Sequence, residues 1–211
     1  MRILIVSATE FEIAPFLEKY PSADYLITGV GAAVSMYQLT KSILQAEYNW
    51  VIQAGLAGTM APHLSLGEVV VVSKDRFADV GVMEQHKWTD VFAQGLSNPN
   101  KYPFEEGWLH QKNIPSFFAH LPTVTGQTVN LLSDEITHTQ KITALYPAQI
   151  ESMEGAALHY VCLQEKIPFV QVRAISNAVG ERDKSKWKLQ EAIQQLNKEL
   201  TTAYESFFHS S

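Results

Sequence analysis

The chain holds one cysteine, Cys162, among 211 residues. A single thiol cannot close an internal disulfide or supply a thiolate zinc cluster, so a stapled secreted scaffold is excluded. The seven histidines never fall at His-x-His or His-Glu-x-x-His spacing, and no metal is expected. Long hydrophobic runs are missing too. None approaches the roughly 18 residues of a membrane span, and the first, Ile3 to Val6, is too short for a signal peptide. No membrane partner is expected, and the expected location is cytoplasmic. Cations are scarce: 16 Lys and Arg stand against 22 Asp and Glu, for a net charge of −6. Phosphate backbones need a basic surface, so nucleic acid is not an expected partner. What is present is ordinary globular composition, 46% hydrophobic and 18% charged, which rules out a disordered chain.

Short apolar runs alternate with amphipathic stretches. Arg2 to Ser7, Asp24 to Thr28, Trp50 to Ala54, Glu68 to Ser73, Pro122 to Val129 and Pro168 to Ser176 read as strands. Residues 32–47 and Glu154 to Gln164 read as helices, as does Ser185 to Phe208. The last carries an apolar stripe of Trp187, Leu189, Ile193, Leu196, Leu200, Tyr204 and Phe207, expected to pack into the core. This alternation predicts an α/β fold, and no linker or internal repeat divides the single expected domain, 1–211. A stretch at about 74–116 holds no sustained period and reads as a long loop insertion.

Five segments could carry chemistry. Gly29-Val30-Gly31 resembles the start of a dinucleotide fingerprint, but Val34 stands where its third glycine belongs, so a tight strand-to-helix turn is the better reading. Gly55 and Gly58 follow an apolar strand, as where backbone lies close to a ligand or simply packs on a neighbouring strand. Glu12 lies just past the first strand, where open α/β sheets bind ligands and a carboxylate can serve as general base. Glu154 starts a helix, among small residues. Arg173 sits inside a strand that otherwise reads as buried, costly without a partner, and Ser176-Asn177 puts polar groups at that strand's end.

Together these segments resemble the nucleoside phosphorylase and nucleosidase family over nearly the whole chain. Met153-Glu154 paired with Arg173-Ala-Ile-Ser is the most specific match. Within the family the chain is similar to the futalosine hydrolase branch, through Phe77-Ala78-Asp79-Val80-Gly81, Thr128-Val129-Asn130 and the run from Ser176-Asn177 to Val179-Gly-Glu-Arg-Asp183. The resemblance implies a three-layer αβα fold around a central mixed twisted sheet and a homodimer. It also implies a cofactor-free hydrolase that cleaves the N-glycosidic bond of futalosine, releasing hypoxanthine and dehypoxanthine futalosine in menaquinone biosynthesis. By the same resemblance Glu12 deprotonates water, Arg173 lies beside that water, and Glu154 grips the ribose hydroxyls. Met153 lies against the sugar, Val129 and Asn130 read the base edge with their backbone, and Gly55 belongs to the substrate-binding segment. The alternatives are a methylthioadenosine/adenosylhomocysteine nucleosidase or a non-catalytic nucleoside-binding protein.

Departures from the family pattern sharpen this. Adenine-releasing members carry Asp where Asn177 stands. An amide NH2 can donate to N7 and to a 6-oxo oxygen, which suits hypoxanthine. Leu56 and Val129 replace a Ser and a base-stacking aromatic. No Arg occupies the first loop, Ser7 to Glu12, or the segment before Gly55, so a phosphate cradle is not expected and water is the expected nucleophile. The 74–116 insertion interleaves aromatics from Phe77 to Trp108 with Arg76, His86, Lys87, Lys101 and His110, and part of it is expected to close over the substrate's 5′ aryl carboxylate, within one chain or across a dimer interface.

Overall fold

The continuous apolar runs become buried strands of one mixed sheet. In the computed structural model, which describes residues 2–85, 87–132 and 146–209, β1 (Ile3–Ser7) lies between β2 (Tyr25–Ile27) and β3 (Trp50–Thr59), all parallel. His86, one of the cations expected in the insertion, lies outside the described residues. β3 runs parallel to β10 (Phe169–Ala178), and β10 is antiparallel to β4 (Val69–Asp75). β4 then pairs with β8 (Thr123–Thr128), β8 with β9 (Ile150–Ser152), and β9 returns antiparallel to the far half of β3. The α/β class is as the sequence pattern predicts, and the mixed sheet is as the family resemblance implies. The sheet also closes: β3, β10, β4, β8 and β9 form a ring, from which β1 and β2 extend.

Alternation along β1 sends its side chains to opposite faces. Ile3 and Ile5 pack with Ile13 and Phe16 of α1 (Glu10–Lys19) and with Leu196, Leu200 and Phe207 of the C-terminal helix, α4 (Leu189–His209). Leu4 and Val6 pack with Leu39 and Ile43 of α2 (Ala32–Gln45) and with Leu158 and Val161 of α3 (Gly155–Glu165). The stripe expected on the last helix enters the core from Ile193 onward. Trp187 and Leu189 do not: the α-helix begins only at Leu189, after a 3-10 turn at Lys184–Lys186, and both residues face a cavity.

Helix α1 has no counterpart among the elements read from sequence. Its signature is a capping box, Thr9-x-x-Glu12, in which the Thr9 N–H donates to Glu12. Pro15 interrupts the pattern, because proline cannot donate inside a helix and strains the turn before it. The damage is repaired from α4. The Asn197 amide accepts from Phe16 N–H at 3.0 Å and donates to the Glu12 carbonyl at 2.8 Å. It thus stands in for the i to i−4 bond those two groups would otherwise share.

The 74–116 stretch is built rather than loose. β5 (Gly81–Glu84) and β6 (Lys87–Asp90) form a hairpin, and β7 (Leu109–His110) pairs with the end of β4. Its aromatics serve this packing: Phe92 meets Phe104, Phe104 meets Tyr160 of α3, and Trp108 lies under Lys74.

Closing the ring encloses polar groups. Asp75 accepts from Arg76 N–H at 2.7 Å and from Thr128 Oγ1 at 3.0 Å. Gly155 makes the fit possible, since a Cβ there would overlap Asp75 Oδ2 and Gln171 Nε2. Burial pushes the Asp75 carboxyl up to about 6, against hydrogen bonds from Arg76 N–H and Thr128 and the charge of Arg173. A raised value means that the folded protein holds a proton the unfolded chain has released. The stability this carboxyl contributes is therefore full below the ordinary carboxylate range and is lost as pH rises through about 6. The shift corresponds to about 3 kcal/mol. Asp75→Asn keeps an acceptor for both partners and cannot ionise. Urea unfolding between about pH 4 and pH 7.5 should show the wild type losing about 2–3 kcal/mol relative to this variant; parallel stability curves would refute the assignment.

Candidate active site

A cavity of about 340 Å³ opens beyond the carboxyl ends of β1, β3, β9 and β10. Thr9, Glu12, Leu56, Gly58, Met153, Glu154 and Asn177 are among the residues that line it. Ligands in α/β sheets bind at such strand ends because loops and helix starts converge there.

Glu12 is held from four directions. Its Oε2 accepts from Ser7 Oγ at 3.1 Å and from Thr9 N–H and Thr9 Oγ1 at 2.9 Å, while Oε1 accepts from Leu56 N–H at 3.0 Å. The capping box and the Asn197 clamp fix the helix turn that carries it. Its carboxylate therefore has one orientation, at the cavity wall.

Arg173, on β10, is 1% exposed. Its Nη2 donates to Gln53 Oε1 at 2.8 Å and its Nη1 to the Leu56 carbonyl at 3.3 Å, and Nη1 lies 3.7 Å from Glu154 Oε2. These are the partners that a buried guanidinium requires. Gly55, directly opposite Arg173 in the β3–β10 register, makes the room. A Cβ on Gly55 would stand 2.5 Å from Arg173 Nη1 and 3.2 Å from Glu12 Oε1. The glycine thus serves two side chains of the site, and it does not itself line the cavity.

Glu154 caps the start of α3, and its Oε1 accepts from Gly31 N–H at 3.0 Å. The Gly29-Val-Gly31 turn, the weak dinucleotide-like motif, thereby holds a carboxylate where such a motif would hold a phosphate. Burial raises the Glu154 carboxyl, opposed by Arg173 and by Gly31 N–H, with the Glu12 charge adding to the rise. Asn177 follows a bulge in β10: Ile175 pairs with Ala57 and Asn177 with Gly58, leaving Ser176 as the extra residue. Asn177 Oδ1 accepts from Ser176 Oγ at 2.8 Å, and Nδ2 donates to the Ala178 carbonyl at 2.9 Å, which leaves the second N–H of that amide free.

The structure thus gathers Glu12, Met153, Glu154 and Asn177 around one cavity, with Arg173 and Gly55 just behind its wall. Val129 and Asn130 stand apart. Val129 is 2% exposed against Ala78 and Trp88, with its N–H donated to the Ser152 carbonyl. Asn130 is fastened to Asp79 through both its N–H and its side chain. Both N–H groups are spent inside the protein, so the expected backbone reading of a base edge finds no free donor there. These bonds join the two segments, Phe77 to Gly81 and Thr128 to Asn130, that carry the branch resemblance. No described residue of 74–116 lines the cavity, so within one chain the expected closure of the insertion over a 5′ group finds no support. Arg76 is buried against the Tyr146 ring and lies 3.6 Å from Asp90. Sequence reasoning missed Trp187, whose apolar spacing matched a core stripe, and Asn197, whose polar amide had no local signal. Among the described residues no cluster of three or more His, Cys, Asp or Glu could hold a metal, and no helix is long and apolar enough to cross a membrane.

The family model of the phosphorylase superfamily matches residues 25–207. The chain belongs to that superfamily. It is 30% identical over 208 residues to futalosine hydrolase of Thermus thermophilus, covering 92% of this chain and 91% of that protein. It is 26% identical to a 5′-methylthioadenosine/S-adenosylhomocysteine nucleosidase of Tolumonas auensis, covering 88% of this chain and 80% of the relative. The solved structure of futalosine hydrolase from Helicobacter pylori superposes with a TM-score of 0.79 at 18% identity, covering 98% of each chain. The mixed-sheet α/β architecture is therefore that of the phosphorylase and nucleosidase fold.

Gly55→Ala tests how the site is assembled. The added methyl must displace the Arg173 guanidinium or the Glu12 carboxylate. The expected result is a fall of about 10²-fold or more in kcat, the scale for misplacing a reacting group by an ångström. Far-ultraviolet dichroism should be unchanged, and near-normal turnover would show that neither side chain needs its present position.

Proposed function

We propose that this protein hydrolyses the N-glycosidic bond of futalosine, releasing hypoxanthine, as a step of menaquinone biosynthesis. The observation that carries the reading is the convergence of Glu12, Glu154 and Asn177 on one cavity, with Arg173 locked behind them. The 30% identity to a futalosine hydrolase over nearly the full length of both chains supports the same substrate. We read the molecule as one domain with helices layered on both sides of its sheet. A cytoplasmic location and a homodimer belong to the same proposal. Exposed Val30, Val34, Tyr37 and Leu44, along the outer side of α2 and the turn before it, supply an apolar face for a second copy, which light scattering in solution tests directly.

The chemistry follows from charge. The base departs with the bonding electron pair and takes a proton from solvent, and its departure leaves positive character at the anomeric carbon, which nearby carboxylates stabilise. Glu12 orients a water and takes its proton. Glu154 accepts from the ribose hydroxyls, bonds that strengthen as the sugar becomes cationic. Arg173 offsets the repulsion between the two carboxylates. A phosphate dianion would meet those carboxylates, while the Arg173 guanidinium is already engaged by Gln53, Leu56 and Glu154. Water is thus the favoured nucleophile.

Incubation with futalosine should release free hypoxanthine at the same rate with and without phosphate, and a ribose 1-phosphate product would overturn hydrolysis. Glu12→Gln should lower kcat by about 10²–10⁴, the worth of a general base.

Asn177 sets the base preference. Its free amide N–H can donate to N7 or to a 6-oxo oxygen, both acceptors, whereas a 6-amino group brings donor against donor. One lost buried hydrogen bond costs about 1–3 kcal/mol, roughly one to two orders of magnitude in specificity. The wild type should prefer futalosine over its 6-amino analogue. Asn177→Asp should shift the ratio of specificity constants toward the 6-amino compound and add a pH dependence. A ratio that does not move would remove Asn177 from base recognition.

A further inference from the structure

The cavity has one cation among its described lining residues, Arg182, and the mechanism above does not use it. The other charged lining residues, Glu12, Glu151, Glu154 and Glu181, are all carboxylates. Arg182 makes no hydrogen bond or ion pair with any described residue, although its neighbours are tightly engaged. Glu181 pairs with Lys186 at 2.6 Å and accepts from Asp183 N–H at 2.9 Å, and its carbonyl accepts from Trp187 Nε1 at 3.0 Å. Asp183 in turn accepts from Ser185 Oγ at 2.7 Å. At the base of this strap Val179 N–H donates to the Thr59 carbonyl and Lys188 N–H to the Ser176 carbonyl. Glu181, Asp183 and Lys186 are thus engaged within the strap, and Lys188 pairs with Glu191 of α4. Arg182 is exposed and lines the cavity together with Trp187, with Phe11 and Val30 adding an apolar margin.

We propose that Arg182 is a specificity residue that binds a carboxylate at the end of the substrate's 5′ arm, so that this cavity selects nucleosides carrying an acidic 5′ substituent. The inference rests on the nucleoside-hydrolase reading and deepens it. A nucleoside whose sugar is held by Glu154 beneath the rim has only its 5′ arm free to extend outward. An anionic arm entering a cavity walled by glutamates is repelled everywhere except at Arg182. A guanidinium offers a carboxylate two parallel N–H donors, which fixes the arm's direction as well as its charge. Trp187, pinned through its indole N–H, presents an apolar ring for the body of the arm. This assigns to the strap between β10 and α4 the task that the sequence reading gave to the 74–116 insertion.

The test compares wild type, Arg182→Ala and Arg182→Lys on futalosine and on its carboxyl methyl ester, with hypoxanthine release as the readout. The wild type should favour the acid. Arg182→Ala should lower the acid-to-ester ratio of specificity constants by about tenfold, between the worth of an exposed ion pair and that of a charged hydrogen bond. The loss should lie mainly in KM, and Arg182→Lys should recover part of it. Raising the salt concentration should shrink the wild-type ratio and leave that of Arg182→Ala unmoved. An acid-to-ester ratio identical in wild type and Arg182→Ala would overturn the proposal while leaving futalosine hydrolysis intact. Failure of the wild type to cleave either compound would instead overturn the functional reading, and this inference with it.

Discussion

The site depends on burying the guanidinium of Arg173. Taking such a charge out of water costs several kcal/mol unless partners replace its hydration. Here the partners come from two other parts of the chain: Gln53 and the Leu56 carbonyl from β3, and Glu154 from the start of α3. Gly55 supplies the volume, and the Glu12 carboxylate closes the other side of it. Removing the Glu154 carboxylate would leave the buried charge without its ion-pair partner, an effect of about 3–5 kcal/mol. The arginine therefore specifies the relative placement of β3, β10, α1 and α3, and Glu12 and Glu154 are positioned by the same constraint that stabilises the sheet.

A second constraint is closure of the ring. A parallel sheet covered by helices on both faces needs only apolar strands. Here the return of β9 to β3 brings Asp75, Thr128 and Gln171 inside, where apolar side chains would otherwise pack. Thr128 joins this interior to the site: its hydroxyl donates to Asp75 and accepts from the N–H of Ala156, in the first turn of the helix that Glu154 caps. The glycine after Glu154 is required because α3 begins against Asp75 and Gln171. The Glu-Gly-Ala-Ala run is thus explained by packing behind the carboxylate as much as by what lies before it.

This division explains what the sequence could disclose. Strands β1, β3, β4 and β10 are legible because each is a local apolar run, and Glu12, Glu154 and Arg173 stand out as charges set in or beside such runs. Helix α1 is hidden by Pro15, since the compensation comes from Asn197, far away in the chain. Ring closure is hidden because it rests on two residue pairs between β3 and β9, with no local trace. The aromatics of 74–116 suggest a ligand wall by composition alone, yet they face one another and α3. Trp187 errs the other way: its spacing fits the α4 stripe, but the 3-10 turn before Leu189 rotates it away from the core.

The bulge in β10 shows how a local irregularity aims a hydrogen-bond donor into the cavity. In a regular strand Ser176 and Asn177 would point to opposite faces, and only one of them could meet a ligand. The extra residue lets both line the cavity. Their mutual contact then fixes chemistry as well as position. Because the Ser176 hydroxyl donates to Asn177 Oδ1, the acceptor end of the amide is turned inward and occupied, and the donor end is presented. The absence of a side chain at Gly58 keeps that end accessible, since a Cβ there would stand 3.3 Å from Asn177 Nδ2 and closer still to Val179. A carboxylate at position 177 would accept the same serine bond but offer no amide donor. The serine hydroxyl, the bulge and the facing glycine are thus one device, which turns an asparagine into a directional hydrogen-bond donor.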